Sequence, residues 1–336
     1  VDLARGRLWS RSAARLARRL VEPGTHRAII TCGPPHHVHQ AGRRLSHETG
    51  LPWIMDLRDP WRLVQRLPEG LASPVGLWMA GRAEEAAVRA AHLVVTNTQP
   101  LCDAMRATYP GRADRIITVT NGHDDDVVPQ SAPHSRFVIA YAGSIYLDRD
   151  PRPLFRAIRG VVAARGLTPN QLAVEFLGHV EAYDGRSLLD IAADEGVAPF
   201  LTVLPVQPRH SALRSLAQAT VLTVMPQDSD MAIPAKLFDY MQCDAWILAF
   251  ARRGSAVQAL LRDSAADVVD PGDASGALAR LLARYDAFVR GERGTRLAVM
   301  ERFSRRAQAN ILFDAIGQVA RIPGPAPAVE APTCAA

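Results

Sequence analysis

The chain has 336 residues, 48% apolar and 22% charged, with a formal net charge of +5; it is too long for one hydrophobic core and too apolar for a disordered chain. Its four cysteines, Cys32, Cys102, Cys243 and Cys334, contain no C-x-x-C pair, which argues against a disulfide scaffold or a cysteine zinc centre and fits a reducing cytoplasm. No apolar run approaches the ~18 residues that span a bilayer, no secretory leader is legible, and the arginines are scattered without interleaved aromatics, which argues against a nucleic-acid surface.

Residues 1–20 set Arg5, Arg7, Arg11, Arg15, Arg18 and Arg19 among alanines and leucines, with Leu8, Ala13, Leu16 and Leu20 near helical spacing. This predicts a surface helix with one buried face, whose basic side can also meet an acidic membrane. Short apolar runs then alternate with helical patterns. His26–Thr31, Pro52–Leu57, His92–Thr96 and Ile116–Thr120 read as strands; Val38–Glu48, residues 71–91 and Leu101–Tyr109 read as helices. Such alternation predicts a parallel sheet covered by helices.

The polar, turn-rich segment from Asn121 to Arg136 breaks this pattern, and its Asp124, Asp125 and Asp126 read as a hinge surface. A second series follows. Phe137–Ala142, ending at Gly143, Leu172–Leu177, ending at Gly178, Leu201–Leu204, Val221–Met225 and Trp246–Phe250 read as strands. Leu154–Arg165, Arg186–Glu195 and residues 211–219, 235–242, 256–262, 274–285 and 301–320 read as helices. The prediction is an α/β chain of two Rossmann-like parallel-sheet domains. The first covers residues 1–125, a linker 126–136, the second domain 137–300 and a closing helix 301–320. Residues 321–336, rich in Pro and Ala without periodicity, read as a disordered tail. The first half offers about four strands against about six, and the first residue is Val; the N-terminal sheet is therefore expected to lack its first strands.

Ligands of open parallel sheets bind beyond the carboxyl ends of strands. Gly143 and Ser144 stand at one such end, where backbone can approach a phosphate, and Arg149 or Arg152 can reach a diphosphate from the next segment. Pro234 opens a helix whose first turn carries Lys236. A cation there opposes the helix dipole, so a bound anion is its best explanation. Asp239, three residues on, shares its face and can accept two ribose hydroxyls. In the first half, His36, His37 and His39 crowd one loop. Their spacing suits zinc poorly, and His36 is the candidate base or substrate contact. After the next strand come Asp56, Asp59 and Trp61: Asp59 is placed to position or deprotonate a hydroxyl, and Trp61 to stack on a sugar.

The order of these segments is similar to a known pattern. TCGPPHHVHQAG, LPWIMDLRDPW, AHLVVTNTQPLCDAM and IITVTNGHDDD resemble the acceptor half of bacterial retaining glycosyltransferases of the GT-B fold, of the large family-4 type. FVIAYAGSIYLDRDPRPLFRAI, VEFLGHV and VLTVMPQDSDMAIPAKLFDYMQCDAWILAF resemble its donor half. The resemblance runs from about residue 26 to about 320. It implies two domains facing each other across a cleft. It implies a nucleotide-sugar donor with its base near Gly178 and His179, its ribose on Asp239 and its diphosphate between Gly143–Ser144 and the Pro234 helix start. The helix after Phe303 would cross back onto the first domain. No metal or cofactor is implied. The acceptor would be a hydroxyl of a saccharide, a lipid-linked compound or a small molecule, and the setting cell-surface polysaccharide or glycoconjugate synthesis in the cytoplasm or on the inner membrane face. Three features depart from the pattern. Met231 stands eight positions before Asp239, where the family carries a first glutamate; the first donor loop has no clean arginine; and the glycine-rich N-terminal loop has no counterpart. Two other classes fit the same residues: a UDP-sugar epimerase of like architecture, and a non-catalytic relative that binds a nucleotide or a partner.

Overall fold

The computed structural model of the chain describes residues 2–59, 61, 74–124, 135–146, 149–225, 229–297 and 301–320. The expected tail, and most of the expected linker, lie outside these. The N-terminal half begins with helix α1 (Asp2–Leu20) and continues as β1 (Ile29–Gly33), α2 (Val38–Thr49), β2 (Trp53–Leu57), α3 (Pro74–Ala90), β3 (Leu93–Thr96), α4 (Gln99–Thr108) and β4 (Ile116–Thr118). The four strands form one parallel sheet in the order β1-β2-β3-β4. The β2 and β3 runs are apolar on both faces because both faces are covered. On one side Trp53, Met55, Leu57 and Val94 pack with Ala87, Val88, Leu101 and Met105 of α3 and α4. On the other, Ile54, Leu93 and Val95 pack against Ile316 of the last helix, α11 (Arg305–Ala320). The chain thus returns to the first sheet at its end. β1 is the edge strand, and Ile30 on it is 48% exposed.

The C-terminal half runs β5 (Phe137–Ser144), α5 (Arg152–Arg165), β6 (Leu172–His179), a small hairpin of β7 (Ala182–Tyr183) and β8 (Arg186–Ser187), α6 (Leu188–Asp194), β9 (Leu201–Leu204), α7 (Arg209–Ala217), β10 (Val221–Val224), α8 (Ala235–Tyr240), β11 (Trp246–Phe250), α9 (Ala256–Leu261), β12 (Asp267–Val269) and α10 (Ala274–Val289). Its six-stranded parallel sheet is ordered β12-β11-β10-β5-β6-β9. The chain builds outward from β5 through β6 to β9, then returns to the other side of β5 for β10, β11 and β12. The order reverses between β5 and β10, and such a switch point opens a crevice at the carboxyl ends of the strands.

Four local differences from the sequence-based expectation have plain causes. β5 and β6 each run two residues farther than expected, through Gly143–Ser144 and Gly178–His179, because the two glycine ends pair with each other. Residues 186–187 form a hairpin strand, so α6 starts only at Leu188, where the Ser187 side chain accepts from the Asp190 N–H. β12 is three residues long and carries too little apolar pattern to be read alone. α3 begins at Pro74 among the described residues.

The halves also meet directly. The Thr98 hydroxyl, at the start of α4, donates to the Met231 carbonyl at 2.6 Å. The His123 N–H donates to the Phe303 carbonyl at 3.0 Å, and the Arg305 N–H donates back to the His123 carbonyl at 2.8 Å. The carboxyl end of β3 therefore faces the segment that leads into α8.

Candidate functional site: the β5–β10 switch point and its surroundings

At the switch point, Gly143 and Gly178 lie side by side in the β5–β6 ladder with φ of +130° and +120°. A Cβ on Gly178 would sit 2.3 Å from the Gly143 carbonyl oxygen, so no side chain fits between the strands there. A Cβ on Gly143 would meet Lys236 Nζ at 3.2 Å. The lysine of the α8 helix start thus lies over the bare end of β5.

Pro234 caps α8 with extended backbone, which frees its first turn to face the strand ends. Lys236 Nζ is buried over the Tyr141 ring, 3.5 Å from its centroid, and has no hydrogen-bond partner among the described residues. The residue as a whole is intermediate in exposure, while its ammonium is shielded. Burial, and then the like charge of Arg149, push its pKa well below the ordinary lysine value. Arg149 donates from Nη1 to the Ser144 carbonyl at 3.0 Å and lies 4.1 Å from the Tyr146 ring centroid. The Tyr141 hydroxyl donates to the same carbonyl at 2.7 Å, and burial lifts its pKa to about 12. Tyr240 accepts from the Ala142 N–H at 2.8 Å. Gly143, Ser144, Arg149, Tyr141 and Lys236 therefore form one cradle. A buried ammonium facing a second cation, without a hydrogen-bond partner, is electrostatically incomplete and favours an anion.

Other expected donor-side residues spread around this cradle. Gly178 adjoins it, and His179 is exposed at the end of β6. Arg152 lies apart from it; its guanidinium contacts Asp150 at 3.2 Å and sits 5.5 Å from the Tyr183 ring centroid. Asp239 lies one turn beyond Lys236, and both its oxygens accept from Arg209, at 2.8 and 3.0 Å.

In the N-terminal half, His36 stacks on Trp61 with ring centroids 5.1 Å apart. His39 is fully buried, shares a 2.9 Å hydrogen bond with the Thr31 hydroxyl and is pushed down to about 3 by burial and then by His36. It is a structural histidine, and Gly33 is bare because a Cβ there would lie 2.6 Å from His39 Nε2. Asp56 sits half-buried beside the Cys32 thiol, and burial raises its pKa. Asp59 is half-buried past the end of β2. Beside it Arg58 donates to Asn121 Oδ1 at 2.5 Å, and Asn97 donates to the Arg58 carbonyl. Met231, at the position eight before Asp239, packs against the Trp53–Leu57 core of the first sheet. Its side chain is partly buried in that contact between the halves. Tyr141 and Arg209 touch these candidate site residues and were not read from the sequence: the first hides inside an apolar strand, the second in an ordinary polar helix start.

No family model matches the chain. A D-inositol 3-phosphate glycosyltransferase of Catenulispora acidiphila is 28% identical over 209 residues, which covers 57% of this chain and 48% of that protein. The chain thus spans about half the length of that curated relative. Among solved structures, a UDP-forming α,α-trehalose-phosphate synthase from Burkholderia xenovorans superposes with a TM-score of 0.65 at 14% identity, over 95% of this chain and 79% of that one. Anabaena HepE in complex with UDP and glucose superposes with a TM-score of 0.63 at 14% identity, over 92% of this chain and 81% of that one. The expected fold is borne out: the chain shares the two-sheet GT-B architecture of these proteins.

Proposed function

We propose that the chain forms the donor site and much of the acceptor site of a glycosyltransferase that uses a nucleoside-diphosphate sugar, a UDP-sugar foremost, and retains the anomeric configuration. The buried Lys236 ammonium at the switch point, with no hydrogen-bond partner among the described residues, carries this reading, and the likeness to sugar-transferring proteins supports it. The diphosphate lies over Gly143–Ser144, with Lys236 and Arg149 stabilising the charge that grows as it leaves. Asp239 takes the ribose hydroxyls, the base lies by Gly178 and His179, and the Pro234 turn covers the phosphates. In the step itself the bond from the anomeric carbon to the phosphate oxygen breaks. The acceptor oxygen bonds to that carbon on the same face. The acceptor's proton leaves to the departing phosphate or to Asp59 or His36, which hold the acceptor hydroxyl.

The experiment is incubation with UDP-, GDP-, TDP- and ADP-sugars labelled in the sugar, with and without saccharide or lipid-linked acceptors. Label transferred to an acceptor with nucleoside diphosphate released is expected. An isomerised free or nucleotide sugar would replace this reading with epimerisation. Binding without turnover would favour the non-catalytic relative, for which the apolar Met231 speaks.

We place the protein in the cytoplasm against an acidic membrane. No described helix is long and apolar enough to cross a bilayer, but α1 exposes Leu8, Trp9, Leu16 and Leu20 beside its arginines, and α3 exposes Val75, Leu77 and Trp78. Such a surface binds where apolar insertion and anionic headgroups act together. Co-sedimentation with phosphatidylglycerol vesicles, but not phosphatidylcholine vesicles, is expected, with release by high salt; equal recovery with both vesicles would refute it.

A further inference from the structure

Arg209 opens α7, where a cation opposes the helix dipole. Two carboxylates are among its partners there. Its Nη1 and Nη2 donate to Asp239 Oδ2 and Oδ1 at 3.0 and 2.8 Å, and Nη2 lies 3.3 Å from Asp124 Oδ2. Asp124 follows β4 in the N-terminal half, and its other oxygen lies 3.1 Å from Arg305 Nη1 at the start of α11. Asp239, Arg209, Asp124 and Arg305 form a single chain of charges from the donor side to the first half and the returning helix. All four side chains reach solvent, so each pair alone contributes about 0–1 kcal/mol. The tie is therefore weak enough for a ligand to break.

A carboxylate whose two oxygens both face a guanidinium fork is poorly placed to accept two ribose hydroxyls as well. We propose that Arg209 is a positioning residue that competes with the ligand for Asp239. When the ligand displaces it, Arg209 stays on Asp124, so the tie across the halves shifts as the site fills. Arg209 thereby sets the affinity of the ribose pocket, and Asp124 sets how easily Arg209 yields. The inference rests on Asp239 as the ribose acceptor, and its test separates the two.

The probe is UDP, titrated calorimetrically into the wild type and into Arg209→Gln, Asp124→Asn, Asp239→Asn and Lys236→Ala. Each variant's denaturant midpoint is compared with the wild type, and Arg209→Lys serves as a conservative second variant. Arg209→Gln is expected to bind UDP about two- to fivefold more tightly, since it removes a competitor of surface-pair strength. Arg209→Lys keeps the charge without the fork and falls between Gln and wild type. Asp124→Asn is expected to bind more weakly, because it takes from Arg209 a carboxylate to fall back on when the ligand claims Asp239. Opposite signs from two neighbouring variants are not produced by general damage to the fold. Unchanged or weaker binding in Arg209→Gln would overturn the inference, as would an unaltered Asp124→Asn. An unaltered Asp239→Asn beside a weakened Lys236→Ala would remove the ribose assignment, and this inference with it, while the diphosphate assignment stands. No UDP binding in any of the proteins would overturn both.

Discussion

Replacing Lys236 with methionine is expected to make the free protein more stable and its binding of a nucleoside diphosphate weaker. The Nζ atom is buried, has no hydrogen-bond partner among the described residues, and has Arg149 as a like-charged neighbour. Methionine fills the same space over Tyr141 without an ammonium to desolvate, which stabilises the fold by about 1 kcal/mol or more. The same change removes a charge-assisted contact to the diphosphate worth about 1.5–3 kcal/mol, a ten- to hundredfold loss of affinity. The pH dependence has a definite sign. In the free protein the lysine's pKa lies below its unfolded value, so the folded state binds fewer protons than the unfolded one between the two values. Stability therefore rises with pH through that window, and the Lys236→Met protein loses this rise. A bound diphosphate lifts the lysine's pKa again. Binding then takes up a proton in the same window, and affinity falls as pH rises through the free protein's depressed value. Denaturant unfolding and calorimetric titration across neutral to alkaline pH read both effects. A methionine variant that is less stable, or that binds as tightly as wild type, would show that Lys236 serves the fold alone.

Gly178→Ala is expected to damage the site through the backbone. Its φ of +120° is outside the range of ordinary side chains, and the added Cβ would sit 2.3 Å from the Gly143 carbonyl oxygen and 3.1 Å from its carbon. Neither obstacle is a flexible side-chain end that can turn aside. β5 and β6 would have to part at the point where Gly143 approaches Lys236. A loss of about 3 kcal/mol or more is expected, combining dihedral strain with displaced ladder backbone. Gly166→Ala is the control. It caps α5 at a φ of +63° with nothing within 4 Å of the new Cβ, so it costs about 1 kcal/mol from dihedral strain alone. Equal destabilisation by the two substitutions would mean that close approach of the strands does not require the glycine.

Much of this architecture was legible because its signals are local. Phe137–Ala142 and Trp246–Phe250 are apolar runs that only a strand buried on both faces requires, and Lys236 is conspicuous because a cation in a first helical turn opposes the dipole. The ends of β5 and β6 were not legible. A glycine after an apolar run reads as a loop, and only the register of Gly143 against Gly178 keeps both inside the sheet. Tyr141 could not be told from its apolar neighbours, because its role depends on α8 folding back above it. The ion pairs of Asp239 and Asp124 with Arg209 join residues from three separate elements, and no spacing along the chain encodes such a meeting. Met231 departs from the pattern in a way only the fold gives a setting for: where the resemblance implies a carboxylate, a methionine packs against the first sheet's core.

On this reading the β5–β10 switch point is a diphosphate site with Lys236 as its buried cation. A crystal structure of the protein with UDP tests it most directly. Diphosphate oxygens are expected within hydrogen-bonding distance of Lys236 Nζ, over Gly143 and Ser144, with the ribose hydroxyls on Asp239. Well-ordered UDP bound elsewhere, with Lys236 still without a partner over the Tyr141 ring, would contradict it.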